Sequence, residues 1–271
     1  MKELSLKEIQ MAEKEMLKEL IAKLDKNSIE YYMIGGTFLG AVRHKGFIPW
    51  DDDIDIGICR NEYDKLIELI KNKKIELDNG YFFEGYEIGN GRYPFLKVID
   101  PSIRIDQKEQ VDKFLWIDVF PVDNLPNDPD KALNFINDCF YRHELYSLML
   151  MKYKNVFKGS KTLCRRIVKI FVWPIINLFN KDKYVEKYIK YCQKYNSQES
   201  DYVGNANWCL HNSGVLKKEY FKPKKYTFEG LEINGFEDYD GVLTASYGKS
   251  YMTPPPENER WTHCFKAYKD E

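Results

Sequence analysis

The alternation Asp53-Ile54-Asp55-Ile56-Gly57-Ile58 constrains this chain more than any other stretch. On a β-strand successive side chains point to opposite faces. Ile54, Ile56 and Ile58 then line a buried face, and Asp53 and Asp55 the opposite one. Two carboxylates on one face repel each other, and a compact protein tolerates that best with a cation between them. Hard divalent cations such as Mg²⁺ take oxygen ligands and are commonly held by one or two carboxylates together with substrate phosphates. The residues before the alternation fit the same chemistry. The apolar run Tyr31-Tyr32-Met33-Ile34 reads as a strand ending at Gly35-Gly36-Thr37, a turn whose backbone N–H groups and open approach suit a phosphate. A short helix-compatible segment, Phe38 to Val42, leads to three bases, Arg43, His44 and Lys45, suited to neutralising phosphates. Trp50 then precedes the acids Asp51, Asp52 and Asp53. A solvated strand edge beside an ordinary glycine turn explains a bare D-x-D pair, but explains this combination poorly.

A second run, Phe114 to Asp123, is apolar and β-rich except for Asp118. A lone carboxylate inside such a strand is costly unless a cation or hydrogen bonds compensate it. Asp123 lies after Pro121 and reads as a turn or helix-cap residue. Tyr93 to Ile99 reads as another strand, from which Lys97 is either a solvent lysine or aimed at a phosphate.

The run from Gly35 to Gly57, G-G-T-F-L-G-A-V-R-H-K-G-F-I-P-W-D-D-D-I-D-I-G, resembles the signature of the LicD family of phosphorylcholine transferases, which includes the fukutin group. Shorter echoes are I-D-V-F-P-V-D (Ile117 to Asp123) and the Y-G-x-x-Y-x-x-P-P segment from Tyr247 to Pro255. The resemblance implies an α/β (α+β) nucleotidyltransferase-like fold, a mixed sheet flanked by helices with a helical elaboration. It implies a third acid on a strand beside the D-x-D strand, for which Asp118 is preferred to Asp123. Asp53, Asp55 and Asp118 would then be the catalytic and metal-binding set, holding one or two Mg²⁺ ions, with Mn²⁺ as a substitute. The donor implied is CDP-choline or a similar CDP-alcohol, and the acceptor a hydroxyl of a teichoic acid or lipopolysaccharide precursor, often carried on a lipid. Gly35, Gly36, Thr37, Arg43, His44, Lys45, Trp50, Lys97, Trp208 and Arg260 are the substrate-binding candidates. A choline head would take an aromatic cage, for which Trp50, Trp116, Trp208 and many tyrosines are available. Two rival readings stand beside this one: a transferase using another CDP-alcohol or an NTP, which the same metal cluster would serve, and a catalytically silent glycan- or lipid-binding module. The intact acid set argues against the silent module, which has no physical reason to keep it.

At 271 residues the chain can bury a full core, expected as a catalytic core over 1–127, a helical elaboration over 128–200 and a part completing the catalytic domain over 201–271. A net charge of −1 gives no global field for nucleic acid. The six cysteines show no C-x-x-C spacing, and the opening MKELSLKEIQ shows no apolar leader. These features suit free thiols in the cytoplasm. Cys209, His211 and Cys264 make a metal site only if the fold unites them; buried thiols are the simpler reading. Bases dominate from Lys152 to Lys194 around the apolar stretch from Ile167 to Phe179, which suits a peripheral segment on a membrane surface or a buried helix kinked at Pro174.

Local signals place the other elements. Ser5-Leu6-Lys7-Glu8 is a capping box for a helix ending near Asn27, and Asn61 is placed to cap a second over Glu62 to Lys73. Asp128-Pro129 opens a third, running to about Met151. Strands are expected at Tyr81 to Phe83, at Ile103 to Asp106, and over Leu216–Phe221 and Tyr226–Phe236 with turns at Gly230 and Asn234-Gly235; Glu237 to Tyr247 reads as a helix.

Overall fold

The computed structural model describes residues 1–106, 112–151, 171–260 and 266–270. Strand β1 (Lys2–Glu3) precedes helix α1 (Leu6–Lys26). The expected capping box is present: the Glu8 N–H donates to the Ser5 hydroxyl, and the Ser5 N–H donates to the Glu8 carboxylate. Ile9, Met16, Leu17, Leu20 and Leu24 form the buried stripe of α1, and Asn27 ends the helix.

Strand β2 (Tyr32–Met33) leads into helix α2 (Gly35–His44). The two glycines therefore belong to the helix's first turn rather than to a separate turn before it. Strand β3 (Asp55–Cys59) passes directly into helix α3 (Arg60–Lys71). Asn61 does not cap α3: Cys59 occupies the cap position without a side-chain bond, because Arg60 is already helical and its guanidinium bonds to Asp123. Strand β4 (Phe82–Glu84) precedes β5 (Leu96–Asp106). The two strands expected at Tyr93–Ile99 and Ile103–Asp106 are one, carried past Pro101 by an irregularity at which Asp100 accepts from the Ser102 N–H and hydroxyl.

Strand β6 (Phe114–Asn124) contains Pro121 in its interior. Asp123 is thus a strand residue, fully buried, and not a turn or cap: its carboxylate takes two hydrogen bonds from Arg60, at 2.7 and 3.0 Å. Helix α4 (Pro129–Leu150) starts at the Asp128 cap as its sequence dictates. Helix α5 (Lys181–Cys192) packs on it, with Phe135, Ile136 and Cys139 against Tyr188 and Cys192. Residues 171–176 are helical; Val172 and Ile176 pack inward, while Phe171, Ile175, Leu178 and Phe179 are exposed. The basic run from Lys152 to Ile170 lies outside the described residues. No helix among the described residues is long and apolar enough to cross a membrane.

Strands β7 (Tyr202–Gly204) and β8 (Leu216–Lys217) pair with each other, and β7 also pairs with the end of β6. Strands β9 (Pro223–Phe228) and β10 (Leu231–Phe236) form a hairpin around Gly230. Asn234-Gly235 is not a turn but part of β10; glycine is required there because a Cβ would lie 2.4 Å from the Phe38 ring. Helix α6 (Tyr239–Tyr247) and strand β11 (Lys266–Lys269) complete the described chain.

The main sheet is mixed, ordered β1-β11-β5-β6-β3-β2, with β3 and β6 parallel and the other neighbours antiparallel. Ile54, Ile56, Ile58, Ile117 and Val119 share one core cluster with the stripe of α1 and with Tyr63 and Leu66 of α3. This architecture is the α/β arrangement of a nucleotidyltransferase-like mixed sheet flanked by helices.

Candidate active site

Parallel pairing of β3 and β6 sets Asp55 opposite Asp118. Antiparallel pairing of β5 and β6 sets Lys97 opposite Asp118 on the other side. Directly paired residues point to the same face, so these three groups form a row across three strands. Lys97 is 3% exposed, neither in solvent nor free to reach for a phosphate. Its Nζ lies 3.5 Å from Asp118 Oδ1 and 3.5 Å from Asp112 Oδ2, between the rings of Tyr93 (4.1 Å) and Trp116 (4.2 Å). Trp116 Nε1 donates to Asp118 Oδ2 at 3.2 Å.

Asp53 falls just before β3 rather than inside it, and Asp55 is the strand's first residue. The start of β3 is tied to α2 by the Asp55 N–H, which donates to the buried Thr37 hydroxyl at 2.8 Å. Gly35 and Gly36 make room for the acids. A Cβ on Gly35, whose φ is +55°, would come within 3.1 Å of Asp55 Oδ2, and one on Gly36 within 2.7 Å of Asp51 Oδ2. The first turn of α2, without a side-chain cap, therefore faces the carboxylates.

The electrostatics follow from burial and like charge. Burial, then Asp53, Asp118 and Asp51, raise the Asp55 carboxyl well above the usual range, with Lys97 opposing. Burial also raises Asp118 to about 6; Lys97 pulls it down, and Asp53 and Asp112 push it up. Asp118 Oδ1 is buried and accepts no hydrogen bond. An all-oxygen donor pair, mutually repelling and incompletely satisfied, fits a hard divalent cation. No group of three or more His, Cys, Asp or Glu side chains among the described residues is arranged to hold a metal by itself. Asp55 and Asp118 would thus form a two-carboxylate platform, with phosphate and water oxygens filling the remaining positions.

The other sequence candidates divide into groups. Trp208 stands edge-on to Tyr93 and Phe95, with ring centroids 5.5 and 5.2 Å away, on the aromatic cluster beside Lys97. Trp50 and Arg260 meet, the guanidinium 4.2 Å from the indole. Arg43 donates from Nη1 to the Tyr251 carbonyl at 2.8 Å and from Nε to His44 at 2.9 Å. Lys45, the left-handed C-cap of α2, instead lines a separate groove with Lys224, Lys225 and Tyr239. Cys209 is a buried thiol donating to the Ile136 carbonyl, and His211 is exposed and bonded to Tyr141; Cys264 lies outside the described residues.

Two participants escaped sequence reasoning. Asp112 accepts from the Tyr93 hydroxyl at 2.7 Å and shares Lys97 with Asp118. Tyr247 brings its hydroxyl 3.9 Å from the Cβ position of Gly35, and its phenol is raised by burial and then by Asp55, Asp51 and Asp53. The Y-G-x-x-Y segment was the available signal for Tyr247.

Residues 28–156 match the family profile described as LicD/FKTN/FKRP, nucleotidyltransferase domain. Over 99% of both chains the protein is 28% identical to the lipopolysaccharide cholinephosphotransferase LicD of Haemophilus influenzae. It is 33% identical to the uncharacterized protein RP689 of Rickettsia prowazekii over 52% of this chain and 47% of that one. A segment of 45 residues is 40% identical to the human ribitol 5-phosphate transferase FKRP, covering 17% of this chain and 9% of the relative. Asp55 and Asp118, paired across β3 and β6, thus both lie within residues 28–156, and over that stretch the chain carries a nucleotidyltransferase domain of the LicD/FKTN/FKRP family.

Proposed function

We propose that the protein is a phosphotransferase that moves phosphocholine from CDP-choline to a hydroxyl of a cell-surface glycan precursor of the lipopolysaccharide or teichoic acid kind, CMP leaving. The observation that carries this reading is the register that sets Asp55 and Asp118 side by side, next to the first turn of α2. The full-length likeness to a cholinephosphotransferase supports the phosphocholine donor.

Bound on Asp55 and Asp118, with Asp53 close by, Mg²⁺ or Mn²⁺ would neutralise the donor phosphates and the departing CMP. The chain's own groups do the rest. The α2 N–H groups orient phosphate oxygens. Asp118 is the group that accepts the acceptor hydroxyl's proton. The acceptor oxygen forms its bond to the choline-bearing phosphorus as the bond from that phosphorus to the bridging oxygen breaks. That oxygen leaves on CMP. Arg43, Trp50 and Arg260 are available for the nucleotide end, and Trp208 for the choline end. The exposed apolar row Phe171, Ile175, Leu178 and Phe179 suits contact with the cytoplasmic face of the membrane that carries a lipid-linked acceptor.

Calorimetry with CDP-choline, CDP-ribitol, CDP-glycerol, CTP and ATP, each with and without Mg²⁺, tests the donor. Cation-dependent preference for CDP-choline is expected. Preference for CDP-ribitol or CDP-glycerol would move the reading to another CDP-alcohol, and preference for a triphosphate would overturn it in favour of a nucleotidyltransferase. Full activity of a folded Asp53→Ala variant would remove Asp53 from the site.

A further inference from the structure

Helix α1 supplies more than core packing. Gln10, 4% exposed, donates from Nε2 to the Asp51 carbonyl at 2.9 Å and so fastens the helix to the acidic turn before β3. Glu13 lies three residues further on, on the same helix face. It is 1% exposed, and neither of its carboxyl oxygens has a hydrogen-bond partner. A buried carboxyl left in this state is costly, and the remainder of the stripe, with Met16, Leu17 and Leu20, shows that this helix face otherwise takes apolar side chains. The charges that act on Glu13 are Asp53, Asp52, Asp51 and Asp118, in that order. All are acids, and together with burial they drive its carboxyl well above the usual range. No hydrogen bond compensates Glu13, and the charges that act on it most strongly are acids; a cation on the neighbouring carboxylates would offset them.

We propose that Glu13 is a positioning residue of the divalent-cation site, standing behind the Asp51–Asp53 turn and adding negative charge that the bound cation balances. The inference rests on the reading of Asp55 and Asp118 as a cation platform, and it extends that site to a helix that carries none of the sequence signature. Glu13 touches neither substrate nor the reacting atoms; it acts through the turn that Gln10 holds.

Mn²⁺ binding to the full chain, measured by calorimetry without nucleotide, tests it alongside thermal unfolding. Glu13→Gln keeps the shape and removes the charge. It is expected to weaken Mn²⁺ binding by about tenfold or more, in the range found for groups that support metal ligands, and to raise the melting temperature of the metal-free protein while shrinking the rise that Mn²⁺ causes. Glu13→Met, which joins the apolar stripe, is expected to do the same. Wild-type Mn²⁺ affinity in both folded variants would overturn the role of Glu13 and leave the platform standing. A wild-type protein that binds no Mn²⁺ would overturn the platform and this inference together.

Discussion

Lys97 and Asp118 face each other across β5 and β6, with Nζ 3.5 Å from Oδ1. Beyond Lys97 stands Glu84 on β4, and beyond Asp118 stands Asp55 on β3. A row of four charged residues, three acidic and one basic, therefore crosses four adjacent strands. The lysine is the internal counter-ion that lets the sheet hold this much negative charge. Lys97→Met is expected to reduce transfer about a hundredfold or more, the scale of a disturbed acid–base group. It should also cost about 3–5 kcal/mol in urea unfolding, the usual penalty for removing one partner of a buried pair.

Asp118→Asn should separate function from stability in the opposite sense. Transfer is expected to fall by roughly 10²–10⁴ with the loss of the group that accepts the proton. Thermal unfolding of the metal-free protein is expected at a higher temperature, because burial, with Asp53 and Asp112 beside it, disfavours the Asp118 charge by more than Lys97 favours it. A drop in both would mean that the Lys97 pair outweighs the repulsion.

The Arg60–Asp123 pair is a structural counterpart, buried at 6% and 0% exposure and supported by Asn196, which donates to Asp123 at 2.7 Å. Arg60→Met alone should cost about 3–5 kcal/mol, and Arg60→Met with Asp123→Leu less, since the double change removes the fully buried carboxylate along with its partner and leaves Asp64 and Glu87 without the guanidinium. A urea double-mutant cycle measures both.

His143 introduces an acid sensitivity remote from the carboxylates. It lies against Trp208, with ring centroids 3.8 Å apart, and burial lowers it to about 4 from the usual 6.5. The unfolded chain then binds a proton that the fold refuses between these values. The stability His143 permits is complete above about pH 6.5 and declines as pH falls toward 4, by about 3 kcal/mol in all. His143→Phe should flatten this part of the stability–pH curve, read by urea midpoints from pH 4 to 7.

Gly40 lies inside α2, where alanine would ordinarily help a helix. Here a Cβ would meet the Gly46 carbonyl oxygen at 2.5 Å, a backbone atom that cannot swing aside. Gly40→Ala is therefore expected to destabilise by about 1–3 kcal/mol, visible as a lowered melting temperature.

The strand through Ile54, Ile56 and Ile58 was legible because alternation is a short-range signal, and Asp118 stood out as a lone acid in an apolar run; that Asp118 stands beside Asp55 was implied by the family resemblance and is met by the register of β3 and β6. Asp123 was misread because Pro121 signals a strand end, and only the distant Arg60 shows why the strand continues. The burial of Lys97 was equally hidden: it depends on Tyr93, Trp116 and Asp112, and only folding brings their rings and charge around the ammonium. Glu13 occupies the buried stripe of α1 without announcing itself, since helical spacing says which face is inward and not which acids wait there.

Pro121 has a mechanical consequence. Up to Val119, β6 is flanked by β5; from Asp123 it is flanked by β7, and on its other side β3 pairs with Asp118 to Val122. The residue that cannot donate a hydrogen bond sits where one neighbour is exchanged for the other. Asp118 lies three residues upstream, about 10 Å along an extended strand that resists compression. The strand thus ties β7, against which α4 packs, to the carboxylate that faces Asp55.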